Sequence, residues 1–295
     1  HCRFFAPPRL THRPAGQPGE SPGWRVSVID APLIFWFLLL GSFTGVAAGL
    51  LGIGGGMLMV PFLTMLLSSR GFPIDIVVKV AIATSLTTIL FTSLSSVRAH
   101  HKRGAVRWEI VRTLAPGMVV GSIAGAQVAH LLKGNLLAIT FAVFVGFMAT
   151  QMLFKREVRA DRALPGPRGM LAAGGIIGVI SAIVGAGGGF VTVPFLTRSN
   201  VRIHEAVATS AACGFPIALA GTVGYIIAGW NLQLPAGTVG YVYLPALVCI
   251  VATSMLTAPL GAKIAHAMSV AGLKRVFALL LYALCAYMLW KGLTG

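Results

Sequence analysis

Residues 31–69 run for 39 positions without a single Asp, Glu, Lys or Arg, and a segment of that kind has few places to go. As one straight helix it would extend about 58 Å at 1.5 Å per residue, nearly twice the roughly 30 Å hydrocarbon core of a bilayer. Charge-free runs also cover residues 80–97, 113–132, 134–154, 169–197, 206–262 and 276–290. Most of these reach the roughly 18 residues that mark a bilayer span. Only 10% of the 295 residues are charged and 56% are hydrophobic, against about 25% charged in a soluble domain. A large water-soluble core would need helices with polar faces between the apolar ones, and such faces are missing. The expected fold class is therefore all-α and polytopic, with membrane lipid as its main partner.

The net charge of +16 does not make the chain a nucleic-acid binder. Its Lys and Arg fall mostly in short loops between apolar runs, where they orient a membrane protein. They form no basic stripe interleaved with aromatics. Cys213, Cys249 and Cys285 lie in apolar runs and Cys2 in the N-terminal segment, with no CxxC pair. Neither a zinc site nor a disulfide framework follows, and the cysteines read as small buried hydrophobes. Residues 1–30 hold five prolines and four arginines and no apolar run, so a disordered tail is expected there.

An internal duplication organises the rest. Gly-Ile-Gly-Gly-Gly at 52–56, followed by Met-Leu-Met-Val-Pro-Phe-Leu, recurs as Gly-Ala-Gly-Gly-Gly at 185–189, followed by Phe-Val-Thr-Val-Pro-Phe-Leu. Ala83-Thr84-Ser85 recurs as Ala208-Thr209-Ser210, and Gly-Ala-Gln-Val-Ala-His at 125–130 as Gly-Ala-Lys-Ile-Ala-His at 261–266. Three matches in one order, at offsets of 133, 125 and 136, are hard to obtain by chance between apolar helices. The chain divides into a tail (1–30), a first repeat (31–154), a basic linker (155–168) and a second repeat (169–295).

Each repeat opens with a segment too long for one straight span. Glycine clusters are costly inside a helix, and Pro61 and Pro194 each remove a backbone donor. The expectation is a broken or re-entrant helical hairpin, its glycine turn near the membrane midplane, because irregular backbone survives in a bilayer only against protein or a watery cavity. Charge supports this. Residues 98–107 and 155–168 carry four and five Lys/Arg, which places both in the cytoplasm. A returning second hairpin puts Lys263, Lys274 and Arg275 on that same side, and the uncharged connector 230–240 outside. With a hairpin and three full spans per half, the halves become inverted repeats, a common transporter plan.

A glycine turn that leads into a helix presents backbone N–H groups beside a positive dipole end, which suits an anion. Close packing through small residues is the plainer alternative. The glycine cluster, the proline at fixed distance and the duplication together favour a site. The candidate set is Gly52, Gly54, Gly55, Gly56 and Pro61 with Gly185, Gly187, Gly188, Gly189 and Pro194. Nucleotide motifs fail on spacing, since Met57 stands where a dinucleotide fingerprint needs glycine and no Lys-Ser/Thr follows. No cofactor and no metal ligand set is expected.

Gly-Leu-Leu-Gly-Ile-Gly-Gly-Gly-x4-Pro-Phe-Leu, its second copy and the two Ala-Thr-Ser segments resemble the TauE/SafE sulfite exporter family of bacterial inner-membrane permeases. The basic His100-His101-Lys102-Arg103-Gly104, followed by Val106 and Trp108, fits that family too. The resemblance runs from about residue 33 to 293. It implies secondary transport, and specifically export, of sulfite, organosulfonates or related sulfur oxyanions. It also implies that the glycine clusters, Pro61, Pro194, Thr84, Ser85, Thr209 and Ser210 face substrate. Hydroxyls suit an oxyanion because they donate without a fixed charge, although they also bond readily to their own helix. The second copy departs from the first at Ala211, where the first has Leu86, so unequal contributions from the halves are expected.

Lys79 and Glu205 stand near predicted span ends and are candidates for gating or coupling, although long charged side chains there also snorkel. His130 and His266 occupy equivalent positions and would suit proton coupling. The rival classes are an intramembrane enzyme, which needs clustered acids, bases or nucleophiles at membrane depth, a channel, which for cations favours acidic rings or carbonyl filters, and a non-catalytic assembly factor.

Overall fold

The computed structural model describes residues 31–51, 55–154, 163–267 and 270–294. Among them lie ten helices and one minimal hairpin. The first repeat comprises α1 (Ala31–Leu51), α2 (Gly56–Ser68), α3 (Ile74–Lys102), α4 (Trp108–Leu131) and α5 (Gly134–Phe154). The second comprises α6 (Pro167–Val184), α7 (Gly189–Arg198), α8 (Ile203–Gly229), α9 (Leu244–Ala267) and α10 (Val270–Thr294). A two-stranded antiparallel hairpin, β1 (Thr238–Val239) and β2 (Val242–Tyr243), joins α8 to α9. The tail, residues 52–54 with Gly52 and Gly54, and most of the basic linker fall outside the described residues.

Seven of the described helices are long and apolar enough to cross a membrane: α1, α3, α4, α5, α6, α8 and the 20-residue stretch of α10 from Arg275. Their outward faces are apolar, with Val120 70%, Phe154 77% and Leu131 81% exposed. A belt this large is at home against lipid and would drive aggregation in water. Polar groups turn inward instead, and Thr84, Ser85, Thr209, Ser210, Ser122 and Thr192 are all buried.

The two halves interlock. α1 packs on α9, α6 packs on α4, and α3 and α8 run against each other at the centre as the two most buried spans. Small residues make these approaches possible. Cβ atoms added at Gly41 and Gly45 would lie 2.7 Å from Ile250 Cα and 2.6 Å from Ser254 Cα of α9. Gly117 and Gly121 of α4 abut Leu171 and Gly175 of α6, and Gly174 and Gly178 answer against Leu114 and Met118. Gly41 and Gly45 correspond to Gly174 and Gly178 at the repeat offset of 133, so the same seam is used twice with the halves exchanged.

In both opening segments a new helix starts just after a glycine, α2 after Gly55 and α7 after Gly188. Pro61 and Pro194 lie inside α2 and α7, which continue through them. The expected second interruption at proline is therefore absent, because in a packed membrane bundle neighbouring helices can re-satisfy the freed carbonyl. The arms are unequal. α1 has 21 residues and α6 has 18, about 32 and 27 Å of helix, so each first arm is itself long enough to cross.

Candidate functional site

The second break is built by left-handed backbone. α6 ends on Gly185 at φ 70°, ψ 28°, whose N–H, together with that of Ala186, bonds Ser181 O. α7 begins after Gly188 at φ 74°, ψ −13°. Such φ values cost an L side chain roughly 1–2 kcal/mol, which is why glycine occupies both positions. At the first break Gly55 sits at φ −29° and its carbonyl receives the N–H groups of Leu58 and Met59. A Cβ there would lie 2.7 Å from Thr44 O of α1.

The two breaks meet. Gly56 lies against Gly185 O, with an added Cβ only 2.8 Å away. Ser85 of α3 joins them, its hydroxyl donating to Gly185 O at 2.9 Å and lying 3.3 Å from Gly56 O. The junction lies about 17 Å along α3, a helix of about 43 Å, so it is set deep in the bundle. Ser85 thus satisfies a carbonyl at the α6 C-terminal end in this state, and its single proton is committed to protein. Ile89, one helical turn on, contacts both Gly56 and Gly187, and Ile217 of α8 lies directly over Gly188.

Thr84 and Thr209 act as a reciprocal pair. Thr84 Oγ1 accepts the N–H of Tyr243 at 3.0 Å, where β2 leads into α9. Thr209 Oγ1 accepts the N–H of Arg107 at 3.1 Å, at the cap of α4. Each threonine of a central helix thereby anchors the start of a helix of the other repeat. Ser210 is buried on α8; the position equivalent to Gly185 that it would face, Gly52, lies outside the described residues.

Lys79 and Glu205 stand away from the breaks. Lys79 Nζ donates to His130 O at 2.7 Å, at the C-terminal end of α4, where a cation opposes the helix dipole. One turn earlier Asp75 accepts the N–H of Gly134, which opens α5. His130 Nδ1 in turn lies 3.0 Å from the Tyr241 hydroxyl. Glu205 makes a 3.6 Å ion pair with Arg107, partly open to solvent. Gly187 packs beside Gly214, Gly189 and Pro61 are buried, and Pro194 is half-buried. The side chain of His266 lies outside the described residues.

Two hydroxyls at the second break were not singled out by their sequence context. Ser181 Oγ and Thr192 Oγ1 are buried with no hydrogen-bond partner among the described residues. They lie 3.4 and 3.6 Å from the place a Cβ on Gly188 would occupy. Their counterparts at the offset of 133 are Ala48 and Met59, so comparison of the repeats position by position would have exposed them. All polar groups described at the two breaks are neutral hydroxyls or backbone groups, and no described group of His, Cys, Asp or Glu could hold a metal.

Comparison with known proteins bears on what such a bundle does. The chain matches the sequence profile of the Sulfite exporter TauE/SafE family over residues 37–288. It is 37% identical to a "Probable membrane transporter protein" of Haemophilus influenzae, across 86% of this chain and 97% of that one. It is 27% identical to one of Methanocaldococcus jannaschii (85% and 94%), and 30% identical to YunE of Bacillus subtilis (65% and 78%), both likewise named probable membrane transporters. No solved structure matches the chain. A paired glycine-break junction inside an apolar helical bundle, and a family profile spanning most of the chain, lead to one conclusion: this is a multi-pass membrane transporter, not an enzyme, and it belongs to the TauE/SafE family.

Proposed function

We propose that this protein is a secondary transporter that exports small sulfur-containing oxyanions, such as sulfite or organosulfonates, across a bacterial inner membrane. The observation that carries the reading is the junction of the two glycine breaks, deep in the bundle, whose polar groups among the described residues are neutral. The N-terminal ends of α2 and α7 both reach it, and their first N–H groups and dipoles favour negative charge. Neutral donors also suit a transported dianion, which must leave as readily as it arrives. The interlocked halves supply two bodies that can rock against each other, and Ile89 and Ile217 supply apolar barriers around the junction. The name of the matching family, Sulfite exporter TauE/SafE, supports the substrate class.

The test is flux in proteoliposomes. Purified protein should carry sulfite down its gradient with saturation and with no dependence on ATP. Transport of sodium or potassium in place of the anion would defeat the reading. Unsaturable flux at near-ionic-channel rates would replace alternating access with a channel.

The same proposal assigns topology. The halves are inverted repeats, with residues 98–107, 155–168 and 263–275 on the cytoplasmic side, where basic loops accumulate. Single cysteines placed in these loops of a background without native cysteines should resist an impermeant external reagent in intact cells. External labelling at 263–275 would mean that the α6–α7 segment crosses the membrane completely.

A further inference from the structure

We propose that the oxyanion is held at the second break alone, by the hydroxyls of Ser181 and Thr192 and the first free N–H groups of α7. This rests on the sulfur-oxyanion reading above and gives it a specific, one-sided site. Ser181, at the end of α6, and Thr192, in the first turn of α7, are 2% and 0% exposed. Leaving a buried hydroxyl unbonded costs free energy, so such groups in a native protein ask for an explanation. Here two of them converge on one point, the bare side of Gly188. The first-turn N–H groups of Gly189 and Phe190 have no acceptor among the described residues either, as expected at a helix start. Three kinds of donor around one glycine match the three oxygens of a sulfite or sulfonate group, and no acidic side chain is described there to repel it.

The first break also opens a helix, but among the described residues it lacks the two unpartnered hydroxyls. Ala48 and Met59 replace the two hydroxyls, Thr44 spends its hydroxyl on Leu40 O, and Gly55 packs against Thr44 O. It therefore serves as a wall. In the state described here Ile217 lies over Gly188, so the site is closed and opens only when α8 or the Ile217 side chain moves.

The experiment is ligand binding by the purified full-length protein in detergent, with sulfite, methanesulfonate, sulfate and phosphate as probes. Binding is read by calorimetry and by the ligand-induced rise in unfolding temperature. Ser181→Ala and Thr192→Val should each weaken sulfite binding about 10- to 150-fold, the range for losing a hydrogen bond to a charged group. Thr192→Ser, which keeps the hydroxyl, should retain binding, and this guards against a general packing defect. If the wild type binds sulfite and both hydroxyl-free variants bind it equally well, the one-sided site is wrong while the sulfur-anion reading stands. If phosphate is preferred and its binding depends on Ser181 and Thr192, the site stands and the sulfur reading falls. If no probe binds the folded wild type, both fall.

Discussion

The two glycine breaks carry nearly the same sequence, Gly-x-Gly-Gly-Gly followed by Pro-Phe-Leu, yet they are different objects. The second is shaped by two left-handed glycines and flanked by buried hydroxyls without partners. The first, at Gly55, has a negative φ and, among the described residues, no unpartnered hydroxyl beside it. Similar sequence supplies a matched pair of frames, and the proposed one-sided site follows from the positions where the frames differ. The same asymmetry marks the threonine anchors. Thr84 holds the buried N–H of Tyr243, whereas Thr209 holds that of Arg107, a residue exposed at the surface.

The comparison is broken most forcefully at the glycines. Gly188→Val should abolish sulfite flux in protein that still reaches the membrane, because position 188 needs φ near +74° and a Cβ there would collide with Ile217 beside Ser181 and Thr192. Gly55→Val should also lose flux, through collision with the Thr44 carbonyl. Alanine should separate them. Gly188→Ala carries a left-handed backbone cost of about 1–2 kcal/mol and puts its Cβ beside Ser181 and Thr192. Gly55→Ala meets the Thr44 carbonyl away from the proposed site, so sulfite binding in detergent should suffer more at 188. Equal binding losses in the two alanine variants would erase the proposed difference between the breaks.

Next in size are the anchors. Thr84→Val strands a buried N–H and should lower stability by about 1–3 kcal/mol. Thr209→Val should cost less, because water can reach the Arg107 backbone. Denaturant unfolding in mild detergent measures both, and a larger loss at Thr209 would reverse the assignment of which anchor is the drier.

The smallest effects on substrate binding belong to the charged candidates. Lys79→Met removes a buried donor from the α4 C-terminus and should destabilise by about 1–3 kcal/mol with little change in sulfite affinity. Glu205→Gln breaks an ion pair that is partly open to solvent, worth about 0–1 kcal/mol, and should be nearly silent. A marked loss of sulfite binding in either variant would return these residues to the gating role that their sequence positions suggested.

Much of this molecule was legible in advance, for reasons that name particular residues. Charge-free runs point to the membrane class, and the doubled glycine clusters mark where the new helices start; at Gly185 and Gly188 glycine takes φ near +70° without the cost an L side chain would bear. Proline was misleading. Pro61 and Pro194 look like interruptions, but the surrounding bundle absorbs the missing donor. The role of Ser85 was hidden for another reason: a hydroxyl on a helix reads the same whether it meets a ligand or a distant carbonyl, and Gly185 is 100 residues away. Ser181 and Thr192 were obscured because they stand where the two copies differ, opposite Ala48 and Met59.

The exchanged seams have a consequence for biosynthesis. Gly41 and Gly45 of α1 find their packing surface only on α9, about 190 residues later in the chain. At about 5–20 residues per second, α1 waits about 10–40 s after its synthesis before its partner exists. Over that interval its glycine stripe must rest against lipid or against the insertion machinery. A ribosome stalled between the repeats would therefore release not half a transporter but an unpaired fragment, and quality control has a long window in which to find it.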